Sequence, residues 1–169
     1  MTAPPTLVAV APAHAAALAA LHCLCFDGQP WHRPWDTAEM AAVLALPGAR
    51  GWLALADDGA ADAPEPVGMI LVQVAGPEAD ILTLGVRAGP WRRRGVGGRL
   101  LTRAEADLKS LGVDRLCLEV SGDNSSAICF YRNHGYSVCG RRPGYYGSHA
   151  GLAVDALVLA RDLPPSPPG

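Results

Sequence analysis

The stretch from Asp80 to Val120 changes its apolar period twice, and that constrains the chain more than any other feature. "DILTLGV" is a short apolar run that ends before "RAGPW", as a strand does. From Val96 the apolar positions recur at Leu100, Leu101, Ala104, Leu108 and Leu111, one face of a helix, and Gly112 supplies its stop. "DRLCLEV" then alternates, with Leu116, Leu118 and Val120 on one side and Arg115, Cys117 and Glu119 on the other. Strand, helix, strand is a βαβ unit, so the two strands should form a parallel pair joined by a crossover helix.

The flanking segments complete an α/β domain. Pro12 to Phe26 reads as a first helix, with Pro12 in its opening turn, and "FDGQPWHRPW" breaks it. Asp36 and Glu39 have the spacing of a capping box before a second short helix that ends by Pro47 and Gly48. "GWLALA" and "VGMILVQVA" flank the turn-rich "DDGAADAPEP" and read as antiparallel strands. "NSSAICFYRNHG" reads as a capped short helix, and "YSVCGRR" and "DALVLARDL" as two final strands. The expectation is one domain over 1–163, a mixed, mostly antiparallel sheet with one parallel pair and helices on both faces. A Pro-rich tail, 164–169, should follow it.

Composition sets bounds on function. Of the 169 residues 50% are hydrophobic and 18% charged, too apolar for a disordered chain. The net charge of -2 gives no general attraction to nucleic acid or anionic lipid, so neither is expected as a partner. Five cysteines, odd in number and without a CxxC pair, read as reduced thiols in a cytoplasmic protein. The Ala-rich run from Leu7 to Phe26 lacks a preceding positive charge and contains Pro12, His14 and His22, which argues against a signal peptide or a membrane span.

"WRRRGVGGRLL" is where the helix of the βαβ unit begins. The first amides of a helix have no internal partner, and the helix dipole adds partial positive charge there. Gly95, Gly97 and Gly98 let a phosphate group approach the amides closely, and Arg92, Arg93 and Arg94 add charge around it. A Walker loop is excluded, because no Gly-Lys-Ser/Thr triplet follows. A dinucleotide turn would place Glu119 about 20 residues on, as a ribose-binding acid. Against that turn, its third glycine is Leu100 and the connection before the helix is long.

The same residues carry a family resemblance. "RRRGVGGRLL" resembles the Arg/Gln-x-x-Gly-x-Gly/Ala signature of the GCN5-related N-acetyltransferases (GNAT), with Arg92, Gly95 and Gly97 on the motif positions. "LCLEVSGDNSSAICFYRNHGY" is similar to the segment that follows it in that family. Within the family the pattern from about Asp80 to Leu163 is most similar to ribosomal-protein alanine N-acetyltransferases. The resemblance implies acetyl-coenzyme A as cosubstrate, its pyrophosphate held by Arg92, Arg93, Arg94, Gly95, Val96, Gly97 and Gly98. It implies backbone contacts to the pantetheine and acetyl group from Leu84, Gly85 and Val86, and a contact from Asn124, which also reads as a helix cap. Trp31, Trp35, Tyr145 and Tyr146 are implied to line an acceptor groove, the last two in a "YY" turn; core packing is the competing reading.

Acetyl transfer to an amine needs a neutral nitrogen, a polarised carbonyl and a proton for the departing thiolate. Glu119, near the end of a strand of the parallel pair, is the candidate general base, and Tyr131, whose phenol is protonated at neutral pH, the candidate general acid. The nucleophile in direct transfer is the acceptor amine, so neither Cys117 nor Cys129 is expected to carry an acyl group. His22, His32, His134 and His149 fall in no metal-binding spacing, and no metal is expected. The resemblance points to a protein N-terminus as acceptor, alanine of a small-subunit ribosomal protein. A small amine or a protein lysine, and a domain that binds acyl-coenzyme A without turnover, remain open alternatives.

Overall fold

The computed structural model describes residues 3–30, 32–57, 63–146 and 153–164. Within these residues seven strands form one sheet: β1 (Thr6–Ala9), β2 (Ala49–Ala56), β3 (Glu65–Ala75), β4 (Glu78–Val86), β5 (Arg115–Ser121), β6 (Ser137–Tyr146) and β7 (Val154–Asp162). Their order is β1-β2-β3-β4-β5-β7-β6, and every neighbouring pair is antiparallel except β4 and β5. Among the described residues four α-helices cover the sheet: α1 (Ala15–Phe26), α2 (Thr37–Leu44), α3 (Val96–Ser110) and α4 (Ser125–Asn133).

Each face has its own core. Leu100, Leu101, Ala104 and Leu108 of α3 pack with Tyr131 of α4, Leu116 and Leu118 of β5, and Ile81 of β4. Leu18 and Leu21 of α1 and Met40 of α2 pack on Leu53, Met69 and Leu71 on the other side. The capping box of α2 forms as expected, Asp36 accepting from the Glu39 amide at 2.8 Å and Glu39 from the Asp36 amide at 3.0 Å. Glu105 ties α3 to the far strands by accepting from Tyr136 Oη and Arg161 Nη1, both at 2.8 Å.

The structure departs from the sequence reading in four places. Thr6–Ala9, to which the sequence reading assigns no element, form the edge strand β1. Pro12–His14 is a 3-10 turn that precedes α1. Leu111 is exposed, because α3 ends at Ser110 and Gly112 turns the chain at φ +83°. The expected "YY" turn is strand: β6 continues through Pro143 and Gly144 to Tyr146, and as an edge strand it tolerates the proline. The tail from 165 onward and most of the loop after Asp57 lie outside the described residues.

Candidate active site

The site exists because two strands part. β4 and β5 are paired only at Glu78–Arg115, Ala79–Leu116 and Asp80–Cys117. One residue later the register between β3 and β4 slips, so that Ile81 opposes Val72 and Thr83 opposes Leu71 with Leu82 extra. A bulge of this kind bends its strand, and here β4 then runs on without β5 as a partner. The wedge between Ile81–Val86 and Leu118–Ser121 opens into a cleft of about 920 Å³.

The bulge also decides what faces each mouth of the cleft. Leu84 and Val86 pack with the α3 and α4 core, while Gly85 faces α1, where an added Cβ would lie 2.9 Å from Cys25 Cβ. Thr83 pairs with Leu71 and so faces the α1 side too. Glu119, out of phase with buried Leu118 and Val120, lies on that same face. The cleft therefore passes through the sheet, with α3 and α4 at one mouth and α1 at the other.

At the α3 mouth the chain turns through Gly89, Arg93 and Gly95, all in the left-handed region. Gly95 caps the helix at φ +74° without a side-chain hydrogen bond, so the amides of Val96, Gly97 and Gly98 enter the helix uncapped. Their dipoles and the cleft-lining Arg92 and Arg93 make this mouth suited to an anion. The glycines have separate reasons. A Cβ on Gly98 would meet His134 Nε2 at 2.9 Å, so that residue is small for packing against α4. On Gly97 a Cβ would make only ordinary contacts, 3.4 Å to Phe130, so protein packing alone does not demand glycine there.

Leu84, Gly85, Val86, Arg92, Arg93, Gly95, Val96, Gly97, Gly98, Glu119, Asn124 and Tyr131 all line the cleft. Asn124 caps α4 by accepting from the Ala127 amide at 3.1 Å. Tyr131, buried between Phe130 and Tyr136, has its phenol pushed well above the ordinary range by burial, so it keeps its proton at all working pH values. Arg94 stands apart from the other arginines, its guanidinium 5.6 Å from the Trp91 ring and beside Pro4 and Pro5. Trp35 is stacked on His22 in the α1 core, and Tyr145 is exposed with Arg142 over its ring; neither lines the cleft. Trp31 and the Tyr146 side chain lie outside the described residues.

Sequence reasoning missed the α1 mouth. Cys25, Phe26, Gln29, His32 and Thr83 line it. Burial pushes the Cys25 thiol up to about 11 against the opposing pull of Arg92 and Arg87, so it is a neutral thiol and a poor nucleophile at neutral pH. Arg142 of β6 reaches over β7 to place Nη2 2.9 Å from Glu119 Oε1. Among the described residues no three metal-binding side chains come together. No helix among them is long and apolar enough to cross a membrane.

A mixed sheet split beside an uncapped glycine-rich helix start makes a cleft suited to a ligand with an anionic end. Residues 16–136 match the family model described as "Acetyltransferase (GNAT) family", and the chain belongs to that family. It is 33% identical over 90 residues to the [ribosomal protein bS18]-alanine N-acetyltransferase of Salmonella typhimurium, a match that covers 53% of this chain and 60% of that protein's length. The fold is shared with the ribosomal-protein-S18-alanine N-acetyltransferase of Escherichia coli, at a TM-score of 0.79, 22% identity and 96% coverage of both chains. It is also shared with a phosphinothricin acetyltransferase of Sinorhizobium meliloti solved with acetyl-coenzyme A, at 0.77, 19% identity and coverage of 96% of this chain and 89% of the other.

Proposed function

We propose that the protein transfers an acetyl group from acetyl-coenzyme A to the α-amine of a protein N-terminus, by direct attack of that amine. The observation that carries this reading is the cleft through the sheet, which joins the uncapped start of α3 on one face to Glu119 on the other. The uncapped amides of Val96, Gly97 and Gly98 with Arg92 and Arg93 hold the pyrophosphate, and the unpaired edge of β4 from Leu84 to Val86 runs beside the pantetheine arm. The coenzyme supplies an activated acyl group on a thioester.

The acceptor enters from the α1 mouth. Glu119 takes a proton from its ammonium, directly or through one water, with Oε1 already oriented by Arg142. Tyr131 stands across the wedge on α4 and gives its proton to the departing sulfur. With the phenol raised, handing a proton to a free thiolate is uphill, so the transfer has to accompany carbon–sulfur cleavage and the tyrosine regains its proton afterwards. Neutral Cys25 supports attack by the amine itself over an acyl-cysteine.

An α-amine suits a carboxylate base. With a pKa of about 8, about a quarter of it is neutral at pH 7.5, against about one lysine in a thousand. The similarity to the Salmonella bS18-alanine enzyme favours an N-terminal alanine, and a ribosomal protein as its bearer. The test is mass spectrometry of two peptides incubated with protein and acetyl-coenzyme A. One has a free N-terminal Ala; the other is N-terminally blocked and has an internal lysine. Acetyl on the first alone is expected. Acetyl on the second alone, or on neither, overturns the reading in favour of a lysine or small-amine acceptor, or of coenzyme binding without turnover.

A further inference from the structure

Two histidines, His32 lining the α1 mouth and His22 buried behind it, have hydrogen bonds that settle their tautomers. His22 is fully buried on α1, stacked on Trp35 with ring centroids 4.6 Å apart and against Phe26 at 4.5 Å. Its Nδ1 accepts the Trp35 backbone N–H at 3.1 Å. A neutral imidazole has one donor and one acceptor nitrogen, so His22 must carry its proton on Nε2. That nitrogen lies 3.2 Å from His32 Nε2, which is therefore the acceptor, and His32 must carry its own proton on Nδ1. The backbone of the α1–α2 connection thus fixes both rings in sequence. The same logic argues against a metal between them, because a ligating His22 Nε2 would have to be unprotonated while Nδ1 also accepts.

His32 lines the cleft, and Nδ1–H is the polar group it has left to offer there. Both rings are held neutral by burial, so they do not repel a cationic amine entering beside them. A second group on this face lacks a partner. Thr83, 6% exposed and lining the same cleft, has the one fully buried side-chain oxygen or nitrogen among the described residues without a hydrogen bond. A buried orphan of this kind is uncommon in a folded protein and marks a place where a ligand or water completes the bonding.

We propose that His32 is a specificity-determining residue that donates Nδ1–H to the first carbonyl oxygen of the acceptor, with His22 as the positioning residue that holds the donor tautomer. The inference rests on the N-terminal reading above and deepens it. It selects amines that are followed by a carbonyl, as a peptide N-terminus is, over lysine and simple alkyl amines.

Two measurements test it. Long-range 1H–15N spectra of the protein at pH 7 should show His22 unprotonated at Nδ1 and His32 protonated at Nδ1 only. A His32 ring unprotonated at Nδ1, or protonated on both nitrogens, overturns the proposal without reference to activity. In the second, thiol release is followed with an N-terminal Ala peptide and with its analogue in which the first carbonyl oxygen is replaced by sulfur, a weaker hydrogen-bond acceptor. Wild type should prefer the oxygen peptide, and His32→Phe should raise its KM about tenfold and lose the preference, tenfold being the loss of one modest hydrogen bond. His32→Asn, which keeps an N–H donor, should restore the preference. If wild type acetylates the peptide but His32→Phe discriminates as before, the proposal fails alone. If wild type acetylates neither peptide, the N-terminal reading fails and the proposal with it.

Discussion

Acid should unfold this protein partly through one histidine. The surroundings of His22 disfavour its charged form: burial first, then the neighbouring His32 ring, with Glu39 pulling weakly the other way, so its pKa falls to about 4. Unfolded, the same ring titrates near the ordinary value of about 6.5. Between those values the unfolded chain binds the proton and the folded chain does not, so stability is highest above about pH 6.5 and is lost as pH falls toward 4. Carrying both equilibria from pH 7.5 to pH 5 gives a loss of about 2 kcal/mol, or about 1 M in the urea midpoint at a typical slope. The assay is urea unfolding at those two pH values for wild type and His22→Phe. The variant keeps a ring against Trp35 but orphans the Trp35 N–H, so it should be weaker at pH 7.5 and lose about 2 kcal/mol less on acidification. His32, lowered in the same direction, leaves a smaller slope in both proteins. Equal slopes in the two proteins would refute the reasoning. Should the variant not fold, the His22 ring protons of wild type can be titrated by NMR, and a midpoint near 6.5 would refute it as well.

Other expected outcomes follow from the cleft. Tyr131→Phe should cut turnover about a hundredfold or more with little change in coenzyme affinity, measured as thiol release and by calorimetry; unchanged turnover removes Tyr131 from the mechanism. Gly97→Glu places a carboxylate at the uncapped helix start and should weaken coenzyme binding at least about a hundredfold by repulsion, with binding unaffected if the pyrophosphate sits elsewhere. Glu119→Gln should leave activity that tracks the free-amine fraction, rising tenfold per pH unit to about pH 8, whereas a profile parallel to wild type would exclude Glu119 as base. Leu100→Ala, at a fully buried position of α3, should cost about 2–5 kcal/mol in urea unfolding.

The features legible in the sequence are those with a local cause. The α3 pattern, the alternation of β5, the Asp36–Glu39 box and the Asn124 cap each depend on residues a few positions apart, and the structure forms each of them. The glycine turn was legible for the same reason, though Gly98 turns out to answer to His134 across a helix pair. β1 escaped because four residues after two prolines give no period to read. The α1 mouth escaped because closure of the chain between two helices makes it: His22 and His32 are ten positions apart and look like unrelated histidines until the Trp35 amide orders them. Arg142 beside Glu119 depends on β7 being inserted between β5 and β6, an arrangement no local pattern encodes.

The most direct measurement sets the two kinds of amine against each other in one molecule. A peptide with a free N-terminal Ala and an internal lysine is incubated with the protein and acetyl-coenzyme A, and the acetyl group is located by fragmentation in the mass spectrometer. Acetyl on the α-nitrogen with the lysine unmodified is expected. Acetyl on the lysine, or on neither nitrogen while coenzyme still binds, would contradict the N-terminal reading.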